Sequence, residues 1–215
     1  TTLGSKYDMT DELFSVDGQV VLVSGGSRGI GRALAAGFVA RNAQVIITGR
    51  DEEALCKTAE EISTADNKAL PIVCDVSQPE SVDQLVKTVV AEYGQIDSLL
   101  NVAGVNKRQP VENFTLEEYD FILDINLRGA FYLAQQVGKQ MIGQKSGTII
   151  NIDSLNTDSP LKGVLPYAMS KGGLNIMTRG MATEWGQHGV RVNSIAPGFV
   201  LTDLTRKLWS DPKMN

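Results

Sequence analysis

One histidine, two cysteines and two tryptophans are present in 215 residues, and these scarcities remove whole classes of chemistry. With His188 alone, no triad built on histidine and no histidine-rich metal centre is available, and a lone histidine near a helix end reads as structural. Cys56 and Cys74 have neither metal nor redox spacing. In a chain without a recognisable signal peptide they read as two reduced thiols, which points to the cytoplasm. No apolar run approaches the length of a membrane span. There is no basic stripe, and the net charge of −5 argues against a nucleic-acid surface. No linker, repeat or low-complexity tract divides the chain, so residues 1–215 read as one domain. Hydrophobic content of 42% and charged content of 21% leave enough apolar mass for a substantial core.

What is present is an alternation of strands and helices. After a polar, weakly patterned arm (1–14), apolar runs at 20–23, 44–48, 69–74, 96–101, 147–152 and 190–195 read as strands. Between them the patterns at 30–40, 52–63, 79–93 and 116–141, and the stretch around Tyr167, read as helices. Pro79 and Pro166 fall at first turns, where a missing N–H costs nothing. Several strands are apolar almost without interruption, as expected where both faces are covered. Repeated strand–helix units require right-handed crossovers and a parallel sheet. The expected fold is therefore α/β: a doubly wound parallel sheet (Rossmann fold) in three α/β/α layers, with its crevice at the carboxyl ends of the strands.

The informative residues fall at those ends. Ser24-Gly25-Gly26-Ser27-Arg28-Gly29-Ile30-Gly31 joins the first strand to the first helix. Glycine admits close approach of backbone to a diphosphate, and the helix beginning near Ile30 offers free N–H groups and a positive dipole end. The plainer alternative is a flexible turn needing positive φ. At the end of the second strand stands Thr48-Gly49-Arg50-Asp51. An acid there would accept from a free ribose 2′-hydroxyl, whereas arginine suits a 2′-phosphate. Arg50, with Arg28 as a second cation, favours NADP(H) over NAD(H). Asp51 opens Asp-Glu-Glu at a helix start and reads as a cap.

Tyr167 and Lys171, at i and i+4 in Tyr167-Ala168-Met169-Ser170-Lys171, share a helix face. An ammonium close to a phenol is expected to lower the phenol's pKa toward the working range. The pair alone is common by chance. Ser154 follows the strand 147–152, and Asn126 lies inside the long helical pattern.

Taken together, the glycine turn, Asn126, Ser154, Tyr167 and Lys171 resemble the short-chain dehydrogenase/reductase family, over about residues 16–203. The G-x-x-x-G-x-G spacing is the variant found there, with Ser24 where that family more often has threonine. The resemblance implies hydride transfer between a nicotinamide cofactor and a secondary alcohol or ketone. Tyr167 would be the acid/base, Lys171 its activator and ribose holder, and Ser154 the support for the substrate oxygen. Asn126 would help anchor a proton-relay water. It also implies cofactor contacts from Asp75 and Val76, with a turn acid as the plain alternative for Asp75. Asn101, Ala103 and Gly104 join them, with Val102 replacing the family's second asparagine, as do Pro197, Gly198, Val200 and Thr202. Thr178-Arg179-Gly180-Met181 and the segment around Pro197 are similar to sugar-acid members such as the gluconate 5-dehydrogenases. Arg108 or Lys107 would then meet a carboxylate, unless both lie on a solvated loop face. Asn156 and Trp209 are candidate pocket residues, and Asp153 has no account. A 3-oxoacyl thioester reductase is the second enzyme reading, and a nucleotide-binding scaffold without turnover the reading from another class. By family habit a homodimer or homotetramer is expected. Family members continue beyond the position of Asn215 with more helix and a last strand, so the chain reads as a fragment or as a truncated form.

Overall fold

The computed structural model describes residues 14–200. Its elements alternate: β1 (Val20–Ser24), α1 (Gly29–Val39), β2 (Gln44–Gly49), α2 (Glu52–Ile62), β3 (Leu70–Val73), α3 (Pro79–Tyr93) and β4 (Ser98–Asn101). Then come α4 (Leu116–Leu123), a π-helical segment (Asp124–Gly129), α5 (Ala130–Gln144), β5 (Gly147–Ile152), α6 (Leu165–Trp185) and β6 (Val190–Ile195). All strand pairs are parallel, in the order β3-β2-β1-β4-β5-β6. The order reverses between β1 and β4, and that switch opens a crevice at the strands' carboxyl ends.

The alternation of side chains along a strand builds two cores. Val21 and Val23 of β1 join Ala35 and Val39 of α1 and Leu55 and Ala59 of α2 on one face. Val20 and Leu22 point the other way, among Leu85 and Val89 of α3, Leu133 and Val137 of α5, and Met181 of α6. The expected three layers are therefore present. A chain of buried polar groups ties α6 to the sheet. Asn101 Nδ2 donates to Asn151 Oδ1 at 3.0 Å, Asn151 Nδ2 to Thr178 Oγ1 at 2.8 Å, and Thr178 Oγ1 to the Leu174 carbonyl at 2.8 Å. Asn101 and Asn151 are register partners on β4 and β5, so a single residue slip in pairing would break the chain.

The reading of 116–141 as one regular helix is corrected: the helix widens into a π turn at Asp124–Gly129. Asn126, in that turn, is buried and grips the segment after β4 on both backbone groups. Its Oδ1 accepts Val105 N–H at 2.8 Å and its Nδ2 donates to Val105 O at 2.9 Å. Local insertions of this kind concentrate at functional sites.

Candidate active site

The glycine turn holds an uncapped helix start. Gly25 (φ +71°) and Gly29 (φ +54°) occupy the left-handed region that favours glycine. A Cβ on Gly25 would lie 2.7 Å from the Ala103 backbone, and one on Gly31 would lie 2.2 Å from Gly25 O, so the turn leaves no room for side chains there. Arg28, the N-cap of α1, makes no side-chain capping bond, and the first turn of α1 contains no acid. Helices α2, α3 and α4 carry glutamate in that turn, whereas α5 and α6, like α1, do not. The positive end of α1 is therefore left for an anion, and these residues fit a dinucleotide's diphosphate. Ser24 Oγ, buried, accepts Ala103 N–H at 3.3 Å and joins the turn to the segment after β4. Thr58 of α2, which the sequence reading did not single out, donates to Ser27 O at 2.7 Å and fixes the turn from the other side.

At the end of β2, Arg50 is exposed, makes no ion pair among the described residues, and stands 6.0 Å from the centre of the Phe121 ring. Asp51 caps α2 by accepting Ala54 N–H at 3.0 Å, as expected, so the carboxylate is spent on its own helix. Asp75 serves as a turn acid: its Oδ1 accepts from both the N–H and the hydroxyl of Ser77. Val76 is buried beside it. Asn101 faces inward, donating to Ala130 O and Asn151, so its side chain serves the core. Gly104 lies against Asn126, where a Cβ would come 3.4 Å from Oδ1.

Ser154, Tyr167 and Lys171 converge from two elements. Backbone bonds from Asp153 N to Ile195 O (2.7 Å) and from Leu155 N to Pro197 O (3.4 Å) set Ser154 where β5 and β6 end. The same bonds draw Pro197 and Gly198 to the site. Val200, at the edge of the described residues, donates its N–H to Gly198 O at 3.0 Å; Thr202 and Trp209 lie outside them. Tyr167 stands in the first turn of α6 with Pro166 at its start, and Ser154 hydrogen-bonds its phenol. Lys171 is 5% exposed; its Nζ donates to Ile152 O at 2.6 Å and lies 5.7 Å from the Tyr167 ring centre.

The expected lowering of the Tyr167 pKa by Lys171 is corrected. The ammonium is tethered to a carbonyl and faces the ring. Burial and the neighbouring Asp153 carboxylate raise the phenol's pKa, opposed in part by the Ser154 hydrogen bond. Tyr167 is thus held protonated at neutral pH, ready to give a proton. Burial pulls Lys171 down to about 8, with Asp153 acting in the opposite direction. Asp153, 3% exposed, is held by Thr157 Oγ1 (2.6 Å) and Asn175 Nδ2 (3.0 Å).

Both amide protons of Asn126 are used, on Val105 O and on Ser170 Oγ at 3.1 Å. A buried amide must satisfy itself locally, so its side chain anchors a loop. Ser170, in turn, donates to Tyr167 O at 2.7 Å; nothing in the sequence distinguished it from a helix surface serine.

The loop after β4 meets the loop before α6, where Gln109 N donates to Gly163 O at 2.9 Å. Lys107 is paired with Glu118, so of the two cations anticipated here only Arg108 makes no ion pair among the described residues. Chemically, a protonated phenol, a hydroxyl and an adjacent ammonium can deliver a proton to an oxygen and support charge on it.

The short-chain dehydrogenase family model matches residues 19–213. The gluconate 5-dehydrogenase of Gluconobacter oxydans is 36% identical over 200 residues, spanning 93% of this chain and 78% of that protein. A crystal structure of a short-chain type dehydrogenase/reductase from Mycobacterium marinum superposes with a TM-score of 0.87 at 36% identity, over 92% of this chain and 79% of that one. A third match is a Beutenbergia cavernae protein provisionally assigned as an NAD(P)-dependent gluconate 5-dehydrogenase, solved with NADP at low occupancy. It superposes with a TM-score of 0.87 at 33% identity, over 94% of this chain and 80% of that one. Fold, site and relatives agree: the chain belongs to the short-chain dehydrogenase family and is a nicotinamide-dependent oxidoreductase acting on CH–OH groups.

Proposed function

We propose that this chain interconverts a secondary alcohol of a sugar acid or sugar with its ketone, using NADP(H). The observation that carries the reading is the convergence of Ser154, Tyr167 and Lys171 beside an uncapped, acid-free helix start. The cofactor supplies the hydride chemistry; the protein supplies position and proton. In ketone reduction Tyr167 gives its proton to the carbonyl oxygen, and Ser154 donates a hydrogen bond to that oxygen as charge develops. Lys171, tethered to Ile152 O beside the Tyr167 ring, would hold the nicotinamide ribose. The diphosphate would rest on the backbone of Gly25, Ser27, Arg28, Gly29, Ile30 and Gly31. Ser24, Ala103 and Gly104 form the adjoining wall, and Pro197, Gly198 and Val200 the nicotinamide side. Asp75 and Val76 would border the adenine.

NADP(H) is favoured because Arg50 makes no ion pair among the described residues while Asp51 is committed to its helix. A carboxylate-bearing substrate is favoured by Arg108 in the loop after β4 and by the sugar-acid relative already described. A homo-oligomer in the cytoplasm completes the reading. Exposed Leu165, Met169 and Ile176 on α6, with Phe131 on α5, support assembly, and no helix of the described residues is long and apolar enough to cross a membrane.

The test is a substrate panel with NADPH: 5-ketogluconate and related keto acids, neutral ketoses, and 3-oxoacyl thioesters. Keto acids should give the highest kcat/KM, and Tyr167→Phe should lose nearly all turnover while still binding cofactor. Preference for the thioesters would replace the sugar-acid reading, and full turnover by Tyr167→Phe would refute the mechanism.

A further inference from the structure

The Ser154 hydroxyl has one proton and two lone pairs. Both lone pairs are taken by a single residue. Asn156 donates to Ser154 Oγ from its backbone N–H at 3.1 Å and from its side-chain Nδ2 at 3.1 Å. The direction of the Asn156 amide is itself determined, because its Oδ1 accepts Leu161 N–H at 2.9 Å. A flipped amide would set donor against donor at Leu161 and acceptor against Ser154. With two donors on Oγ, Ser154 retains one capability, which is to give its proton. That proton acts on the Tyr167 phenol, whose pKa Ser154 lowers against the effect of burial.

We propose that Asn156 is a positioning residue that locks Ser154 as an obligate hydrogen-bond donor, aimed at the oxygen with which Tyr167 exchanges a proton. The inference rests on the oxidoreductase reading above. Its consequence is a division of labour that the presence of Ser154, Tyr167 and Lys171 does not by itself require. With its lone pairs filled, Ser154 cannot receive a proton from a substrate alcohol. In oxidation the alcohol's O–H proton would pass to the Tyr167 phenolate, and the bound cofactor would supply the hydride chemistry. In reduction the proton returns from Tyr167, while Ser154 only bonds to the oxygen. The two donors on Oγ also polarise the Ser154 O–H bond, which strengthens its support of negative charge.

The turn that holds Asn156 has supports of its own. Thr157 Oγ1 bonds the buried Asp153 at 2.6 Å, and Leu155 N bonds Pro197 O. Removing the Asn156 side chain therefore leaves the turn tethered on both sides.

The experiment compares wild type, Asn156→Ala, Ser154→Ala and the double variant by two readouts. The first is steady-state turnover. Ser154→Ala should lower kcat about a hundredfold, as loss of one donor to a developing oxyanion does. Asn156→Ala should lower kcat about tenfold, a fraction of that loss, with KM for NADPH unchanged. The double variant should be no slower than Ser154→Ala, because Asn156 acts only through Ser154. The second readout needs neither cofactor nor substrate: phenolate absorbance is titrated against pH, with Tyr167→Phe subtracted to isolate Tyr167. Its midpoint should rise in Asn156→Ala and in Ser154→Ala, and go no further in the double variant. Losses that multiply in the double variant, or an unmoved phenol midpoint in Asn156→Ala, would overturn the proposal. Asn156→Asp, of nearly the same shape, replaces the side-chain donor with an acceptor and should reproduce the loss. Full turnover by that variant also overturns the proposal. A wild-type protein that turns over nothing on the panel would refute the sugar-acid reading, and the phenol titration would still decide the role of Asn156.

Discussion

At the scale of the residue, the group with most at stake is Lys171. Its ammonium is buried against Ile152 O and Tyr167, with Asp153 nearby, and burial brings it down to about 8 from 10.5. Because its folded value lies below its unfolded value, the unfolded chain binds more protons between the two. Stability therefore rises as pH climbs from about 8 toward 10.5, and at neutral pH the buried charge costs about 3 kcal/mol. Lys171→Met should remove that cost. It also loses the bond to Ile152 O, which gives back about 1 kcal/mol. In urea melts at pH 7 the variant should be about 2 kcal/mol more stable and have no turnover. The gain should shrink as pH approaches 10.5. A variant no more stable than wild type at pH 7 would show that the charge carries no penalty there. The pair of Tyr167 and Lys171 was legible in the sequence because helix spacing places both on one face. The tether was not, since Ile152 is nineteen residues earlier and meets Lys171 only after β5 and α6 pack. Nothing in the sequence marked Asn156 as a partner of Ser154, because local turn geometry decides where an amide points.

At the scale of the element, the π segment has the most specific demands. A Cβ on Gly129 would lie 2.6 Å from the Val76 carbonyl oxygen and 3.0 Å from that of Asp124. Both are backbone atoms with no rotamer to yield. Gly129→Ala should therefore cost about 1–3 kcal/mol in denaturant unfolding. It should also loosen the Asn126 grip on Val105, which hydrogen exchange at the Val105 amide would report. The control is Gly143→Ala in α5, where a Cβ meets nothing within 4 Å; that change should be stabilising by about 0.5–1 kcal/mol. A gain in both variants would show that helix propensity, and not the contact with Val76, dominates. The sequence announced the long helix correctly and hid its widening. One inserted residue barely disturbs an apolar period, while its cause, the inward amide of Asn126, is a tertiary contact. Strand ends were likewise legible to within a residue or two: β3 runs Leu70–Val73 where the apolar run spans 69–74, and β4 starts at Ser98 where the run starts at Ile96.

At the scale of the whole molecule, six strands that are scattered in sequence bring one set of carboxyl ends together. This much followed from alternation alone, since parallel pairing, crossover hand and the switch point leave few arrangements. What the assembly adds is an electrostatic asymmetry within a chain of net charge −5: the α1 start is left without acid, and Arg28 and Arg50 make no ion pairs among the described residues. That asymmetry predicts how the folded state responds to cofactor. A ligand at a hundred times its Kd stabilises the state that binds it by about 2.7 kcal/mol. For a chain of this length that corresponds to a rise in Tm of about 5–10 °C. NADPH should produce such a shift, and NADH at the same concentration a smaller one, because only the former offers a phosphate to Arg50. Arg50→Ala should bring the NADPH shift down to the NADH value and leave the NADH shift where it was. Equal reductions for both cofactors would mean that Arg50 supports the fold of the β2 end and not a phosphate. Absence of any shift in the wild-type chain would mean that the uncapped start of α1 does not by itself hold a dinucleotide.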